Sequence, residues 1–177
     1  MSKKKKPKFD KLNVGCGFDY RQNFINIDCN THLPKVDIVV DIKPGILLKY
    51  FEQESFDYIL VQSILEHFFH WEACLLLKDF YMMLTKNGKL NLTIPNVENI
   101  IGDNKGISEK LLWLYGGQDI LPNEKLDIHR QNFPQYYCHK FGWTFDSIKT
   151  ELTFAGFVDI KFIDYSWNMN IISKKEG

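Results

Sequence analysis

The chain has 177 residues, of which 45% are apolar and 15% aromatic, which places it as one globular domain with material for a real core. Lys plus Arg and Asp plus Glu both number 22, so no net field draws the molecule to nucleic acid or to an anionic membrane. No apolar run approaches the roughly 18 residues of a membrane span. The four cysteines (16, 29, 74 and 138) show no C-x-x-C spacing, as expected of reduced thiols in a cytoplasmic protein.

Ser2-Lys3-Lys4-Lys5-Lys6-Pro7-Lys8 is a run of like charge, so residues 1–10 are expected to form a solvated, disordered tail. Phe9-Asp10-Lys11 follows instead of an apolar stretch, so no signal peptide is expected. Leu12 to Val14 reads as a buried strand ending in Gly15-Cys16-Gly17, a turn at which bare backbone can approach a ligand. Phe24 to Ile27 is a second strand and stops on Asp28, where a ribose would place its hydroxyls. The dinucleotide pattern fails here. Its third glycine would stand at Tyr20, and Asp28 comes only 11 residues after Gly17, where that pattern spaces its acid by about 20. A nucleoside site without a pyrophosphate cradle remains, which points to S-adenosylmethionine and not to NAD.

Val36 to Ile42 is rich in β-branched residues and predicts a third strand, which also ends on an acid, Asp41; Phe56 to Val61 predicts a fourth. Ser63 and Glu66 have capping-box spacing, which predicts a helix opening there, running through Leu84 and stopped by Asn87-Gly88. Lys89 to Ile94 alternates as a fifth strand. The pattern weakens over 96–143, apart from a helix over Ser108 to Tyr115 broken by Gly116-Gly117. Thr144 to Ala155 predicts an amphipathic helix ended by Gly156, and Phe157 to Ile163 and Trp167 to Ser173 a closing antiparallel pair. Alternating strands and helices give an α/β fold with a mostly parallel, Rossmann-like sheet and helices on its faces. Phe18 to Asn23 is too short for the usual parallel crossover, so the first crossover helix is expected to be shortened or missing. Residues 11–177 form one domain on this reading, with 96–143 as a variable substrate or lid segment.

The ordered series Leu12-Asn-Val-Gly-Cys-Gly17, Ile25-Asn-Ile-Asp28, Val40-Asp41-Ile42, Ser55-Phe-Asp-Tyr58, Ser63-Ile-Leu-Glu-His-Phe68, Leu84-Thr-Lys-Asn-Gly-Lys-Leu90, Ile94-Pro-Asn96, Asp127-Ile-His-Arg130 and Phe154-Ala-Gly-Phe157 resembles the class I S-adenosylmethionine-dependent methyltransferases. Within these it is similar to the small methyltransferase type 11 proteins. The resemblance implies that Gly15, Cys16 and Gly17 line the cofactor through their backbone and that Asp28 holds the ribose. It places Asp41 and Ile42 at the adenine edge and Gln62 and Ser63 at the methionine end. Asn13 stands where the wider family carries an acid, which removes a negative charge near the cofactor ammonium.

Transfer of a methyl from a sulfonium mainly requires an acceptor held in line. An amine or hydroxyl acceptor also needs a base, and histidine suits that role near neutral pH. His67, beside the expected pocket, and His129, in the variable segment, are the two candidates; a purely structural imidazole is the competing reading for each. His67 and His70 are three residues apart, yet no further ligand has metal-site spacing. The expected activity is methyl transfer to a small-molecule or glycan-type acceptor. The absence of an N-P-P-Y motif after the fourth strand argues against nucleic-acid methylation. A non-catalytic binding module of the same fold is the alternative, motivated by Asn13 and the missing helix.

Overall fold

The computed structural model describes residues 8–116 and 128–177, without the side chains of Asp164 and Tyr165. The lysine run up to Pro7, Gly117 and Asp127 lie outside the described residues. Seven strands form a single sheet: β1 (Lys11–Val14), β2 (Ile25–Asp28), β3 (Ile38–Val39), β4 (Phe56–Gln62), β5 (Leu84–Pro95), β6 (Phe157–Tyr165) and β7 (Asn168–Lys175). Their order is β3-β2-β1-β4-β5-β7-β6, and β7 runs antiparallel to both of its neighbours while the first five strands pair parallel.

Alternation along the strands sorts side chains to two faces. Leu12, Val14, Ile59, Val61, Leu90, Leu92, Ile94, Met169 and Ile171 form the inner face. Helices α1 (Leu47–Tyr50), α2 (His70–Met83), α3 (Val97–Gly102), α4 (Ile107–Tyr115), α5 (Ile128–Asn132) and α6 (Phe145–Ala155) follow in chain order. Leu76, Leu77 and Phe80 of α2 and Ile148 and Leu152 of α6 are fully buried in the inner core. Burial of each such side chain stabilises the fold by about 1.5–3 kcal/mol.

The opposite face carries Asn13, Tyr58, Asn91, Thr93 and Asn170. There Asn170 Nδ2 donates to Asn91 Oδ1 at 2.5 Å and Thr93 Oγ1 at 2.9 Å, and Asn91 Nδ2 donates to the Tyr58 hydroxyl at 2.7 Å. No helix connects β1 to β2 or β2 to β3, so this polar face receives no crossover helix from either connection. The missing first helix expected from the short connection is what the chain shows.

Three expectations about element boundaries need correction. The third strand pairs only over Ile38–Val39, because the Asn26 amide of β2 goes to the Asp37 side chain at 2.7 Å and not to the main chain. Val40 and Ile42 nonetheless stay buried in the core. The long helix starts at His70, not at Ser63. Ser63 has φ +50°, and its N–H extends the sheet by donating to Thr93 O at 2.8 Å. Leu65–His67 then makes a single 3₁₀ turn before Phe68 extends. The acid that receives the N-cap amide is Glu72, which accepts from Phe69 N at 3.1 Å, so Glu66 is not the capping partner. The helix ends at Met83, before Asn87-Gly88, because Leu84 is drawn into pairing with Phe56. The Thr144 cap and the left-handed Gly156 (φ +105°) bound α6 as the sequence indicates. Among the described residues no helix is long and apolar enough to cross a membrane.

Candidate functional site

The carboxyl ends of β1, β2, β3 and β4 converge on one crevice, where α/β sheets bind ligands. It consists of two adjoining hollows that share Gly15, Asp28, Cys29, Ile64, His67 and Tyr136. Asp41, Ile42, Lys43, Glu72 and Lys140 line the first hollow, and Gly17, Phe18, Asn30, Ser63 and Tyr137 the second.

Asp28 organises the centre. Its Oδ2 accepts from Gly17 N and its Oδ1 from Asn30 N, both at 2.8 Å, so one carboxylate ties the glycine turn to the loop after β2. Asp28 is only 9% exposed. Such charge-assisted bonds are the strong ones. The two glycines differ. A Cβ at Gly15 (φ +64°) would stand 2.0 Å from Ile64 Cδ1, so Ile64 fills the space that a side chain would take. A Cβ at Gly17 (φ +51°) would meet nothing within 4 Å, and its requirement is the left-handed backbone alone.

At the adenine end expected for Asp41, that carboxylate pairs with Lys43 Nζ at 2.5 Å on the surface. Tyr136 lies against it. Burial first, and then the nearby Asp41, holds the Tyr136 phenol above its usual range. Burial first and then Asp28 push the thiols of Cys16 and Cys29 up to about 12, so both stay protonated and unreactive.

The residues named in advance do not all meet here. Gly15, Gly17, Asp28, Asp41, Ile42, Ser63 and His67 line the crevice. Cys16 is buried beside it. Gln62 points to the polar sheet face, in a hollow with Lys11, Arg21, Phe24, Tyr58 and Asn91. Asn13, 2% exposed, donates to Asp19 O at 2.8 Å and Asn26 Oδ1 at 3.1 Å, and it lines neither hollow. His129 is buried behind the crevice among Phe133, Tyr136 and Tyr137, with Nδ1 3.0 Å from the Tyr137 hydroxyl.

His67 Nδ1 lies 3.2 Å from the Cys138 carbonyl, an acceptor, so this nitrogen donates. Burial, then His139, lowers the His67 pKa to about 4. The imidazole is therefore neutral at physiological pH. Glu66, next in sequence, is 1% exposed, and burial pushes its carboxyl up to about 8.

Reasoning from sequence missed Asn30, Ile64, Lys43 and Lys140. The Asp28–Asn30 pair had a readable signal, since an aspartate commonly accepts from the amide two residues on. Tyr136 and Tyr137 lie in the 96–143 segment, which the sequence marks only as a variable substrate or lid region. Ile64 and Lys140 are far from Gly15 in sequence and carry no local pattern.

No family model matches the sequence, and no curated protein matches it. Solved structures do. A SAM-dependent methyltransferase from Archaeoglobus fulgidus superposes with TM-score 0.63 at 17% identity, over 96% of this chain and 87% of that one. The fold is that of the class I methyltransferases. A second example from Thermotoga maritima, a SAM-dependent methyltransferase described as a possible histamine N-methyltransferase, gives TM-score 0.63 at 13% identity, covering 96% and 84%. A phosphoethanolamine N-methyltransferase from Haemonchus contortus, solved with phosphomonomethylethanolamine and S-adenosylhomocysteine, gives TM-score 0.56 at 14% identity. This chain spans about half the length of that last enzyme, 49% of it, against 94% of its own.

Proposed function

We propose that the chain is an S-adenosylmethionine-dependent methyltransferase acting on a small-molecule or glycan-type acceptor. The observation that carries this reading is the Gly17–Asp28–Asn30 cradle at the carboxyl ends of β1 and β2, in a class I methyltransferase fold. The crevice fits an adenosyl cofactor on its own chemistry. Open space lies over Gly17, and the remaining lone pairs of the Asp28 carboxylate suit ribose hydroxyls. Asp41 and Ile42 offer a polar edge and an apolar wall for a purine.

When bound, the cofactor supplies a sulfonium methyl as the electrophile. The protein has to hold an acceptor in line and keep water out. Ile64, Phe68 and Tyr136 give the first hollow apolar walls. His67 is the imidazole on the crevice wall that can take an acceptor proton. With its pKa near 4 it passes that proton on to solvent and does not hold it. His129 acts one step back, by positioning Tyr137 through their hydrogen bond.

Isothermal titration with S-adenosylhomocysteine, followed by transfer of labelled methyl from S-adenosylmethionine into fractionated acceptors, tests the reading. Saturable binding with transfer supports it. No binding removes it, and binding without transfer to any acceptor favours the non-catalytic module.

A further inference from the structure

Glu66, His67 and His139 each bring a ligand atom to within 4.8 Å of the others. Among the described residues, neither carboxylate oxygen of Glu66 meets a hydrogen-bond partner from another residue, although the side chain is almost wholly buried. A buried carboxylate left in this way is costly unless a proton or a cation neutralises it. The main chain around the trio is fixed from both sides. His139 N donates to Tyr115 O at 2.7 Å, and Lys140 N donates to Glu66 O at 2.8 Å. The rings of His67 and His139 stand 5.0 Å apart, edge to face.

We propose that Glu66, His67 and His139 form a binding site for a divalent transition-metal ion in the wall of the crevice. Two imidazole nitrogens and one carboxylate oxygen suit zinc or iron(II), whereas magnesium and calcium take oxygen donors. Both imidazoles are held neutral by burial, the form that ligates. Three protein ligands leave a coordination position for an outside oxygen. Because His67 lines both hollows, that position adjoins the acceptor space.

The role of the ion, though not the site itself, rests on the methyltransferase reading. A hydroxyl acceptor bound to the ion releases its proton to bulk water more readily. Its oxygen then forms the bond to the methyl carbon, the carbon–sulfur bond breaks, and the electron pair stays on a neutral sulfur. His67 serves in that case as a ligand and not as a base. A second cluster, His70, Cys74 and Glu151, also has its ligand atoms within 4.8 Å. Its members already satisfy one another: Cys74 Sγ donates to Glu151 Oε2 at 3.1 Å, and His70 Nε2 lies 3.4 Å from Glu151 Oε1. It serves as the internal control.

The test is titration of the chelator-stripped full chain with Co²⁺, read by absorbance. The expected wild-type result is a saturable visible ligand-field band with no thiolate-to-cobalt charge transfer in the near ultraviolet. Glu66→Gln, which keeps the shape of the side chain, should weaken Co²⁺ binding at least about tenfold, and Cys74→Ser should leave it unchanged. Absence of saturable absorbance, a charge-transfer band that Cys74→Ser removes, or a Glu66→Gln titration matching wild type would each overturn the proposal. Titration of the same samples with S-adenosylhomocysteine separates the two readings. Cobalt binding without it sinks the enzyme reading, and the reverse sinks the metal site.

Discussion

Replacing Asp28 by asparagine tests the centre of the crevice with almost no change of shape. The carboxylate accepts one amide on each oxygen, from Gly17 and Asn30. An asparagine has a single acceptor oxygen, so one of those two amides must face an NH₂ group whichever way the side chain lies. The variant therefore loses one charge-assisted bond outright and the charge from the other. At a site 9% exposed, water does little to compensate. The loss should be about 2–4 kcal/mol of stability, which in a chain of this size lowers Tm by about 4–16 °C. The same change removes an acceptor from the ribose and should weaken S-adenosylhomocysteine by about 1–3 kcal/mol, roughly 5- to 150-fold in Kd.

Circular dichroism melts and calorimetric titration on the same preparation read both effects. Asp57→Asn is the control: Asp57 is exposed at the far end of β4 and accepts from Thr85 Oγ1. It should change neither quantity measurably. An unchanged Tm in Asp28→Asn would refute the account of the turn. A lowered Tm with an unchanged Kd would reduce Asp28 to scaffolding and remove it from the ligand.

Gly15→Ala should cost more than about 2 kcal/mol in urea unfolding, since left-handed backbone and the Ile64 overlap act together; Gly15→Ala with Ile64→Ala should recover only the steric part, and full recovery would show that φ +64° carries no strain. Asn13→Asp should destabilise the fold above pH 5, because the atom facing Asp19 O and Asn26 Oδ1 must be a donor, and equal stability at pH 7 would contradict this. In metal-free protein, burial raises the folded Glu66 pKa to about 8, so the folded state holds a proton that the unfolded chain has released. Stability should therefore be greatest below the ordinary glutamate pKa and fall by a few kcal/mol as pH rises toward 8. Glu66→Gln should flatten that slope in melts across the range, and an unaltered slope would assign it to another group.

Periodicity made the frame legible. Short apolar runs ending in glycine or acid located β1 and β2, an apolar run located β4 and alternation located β5, and Thr144 with Gly156 bounded α6. The failures share one cause, because each depended on partners distant in the chain. Ser63 carries a good capping signal, yet its amide is claimed by Thr93 across the sheet, and the helix starts seven residues later at His70. Val36 to Ile42 has the composition of a long strand, but the Asp37 side chain takes the Asn26 amide where the ladder would extend. For the site, Asp28 and the glycines were readable as a local turn. The neighbours of His67 were not, since Cys138, His139 and Lys140 return from 71 or more residues away to close around it.

The amide at position 13 and the absent first helix explain one another. In a three-layer sheet, a crossover helix packed behind the glycine turn would hold it in place. Here Gly15 to Phe24 contains none, and the turn is held by a polar chain. Asn13 reaches Asp19 O, and Asn26 Oδ1 takes Arg21 N at 2.9 Å while its Nδ2 donates to Arg21 O at 3.1 Å. Asn26 N in turn donates to Asp37 Oδ2 at 2.7 Å, which anchors the stretch before β3. Asn13 enters this chain only as a donor, and a carboxylate at position 13 would set acceptor against acceptor. The departure from the acid expected there is therefore a requirement of a glycine turn held without a crossover helix.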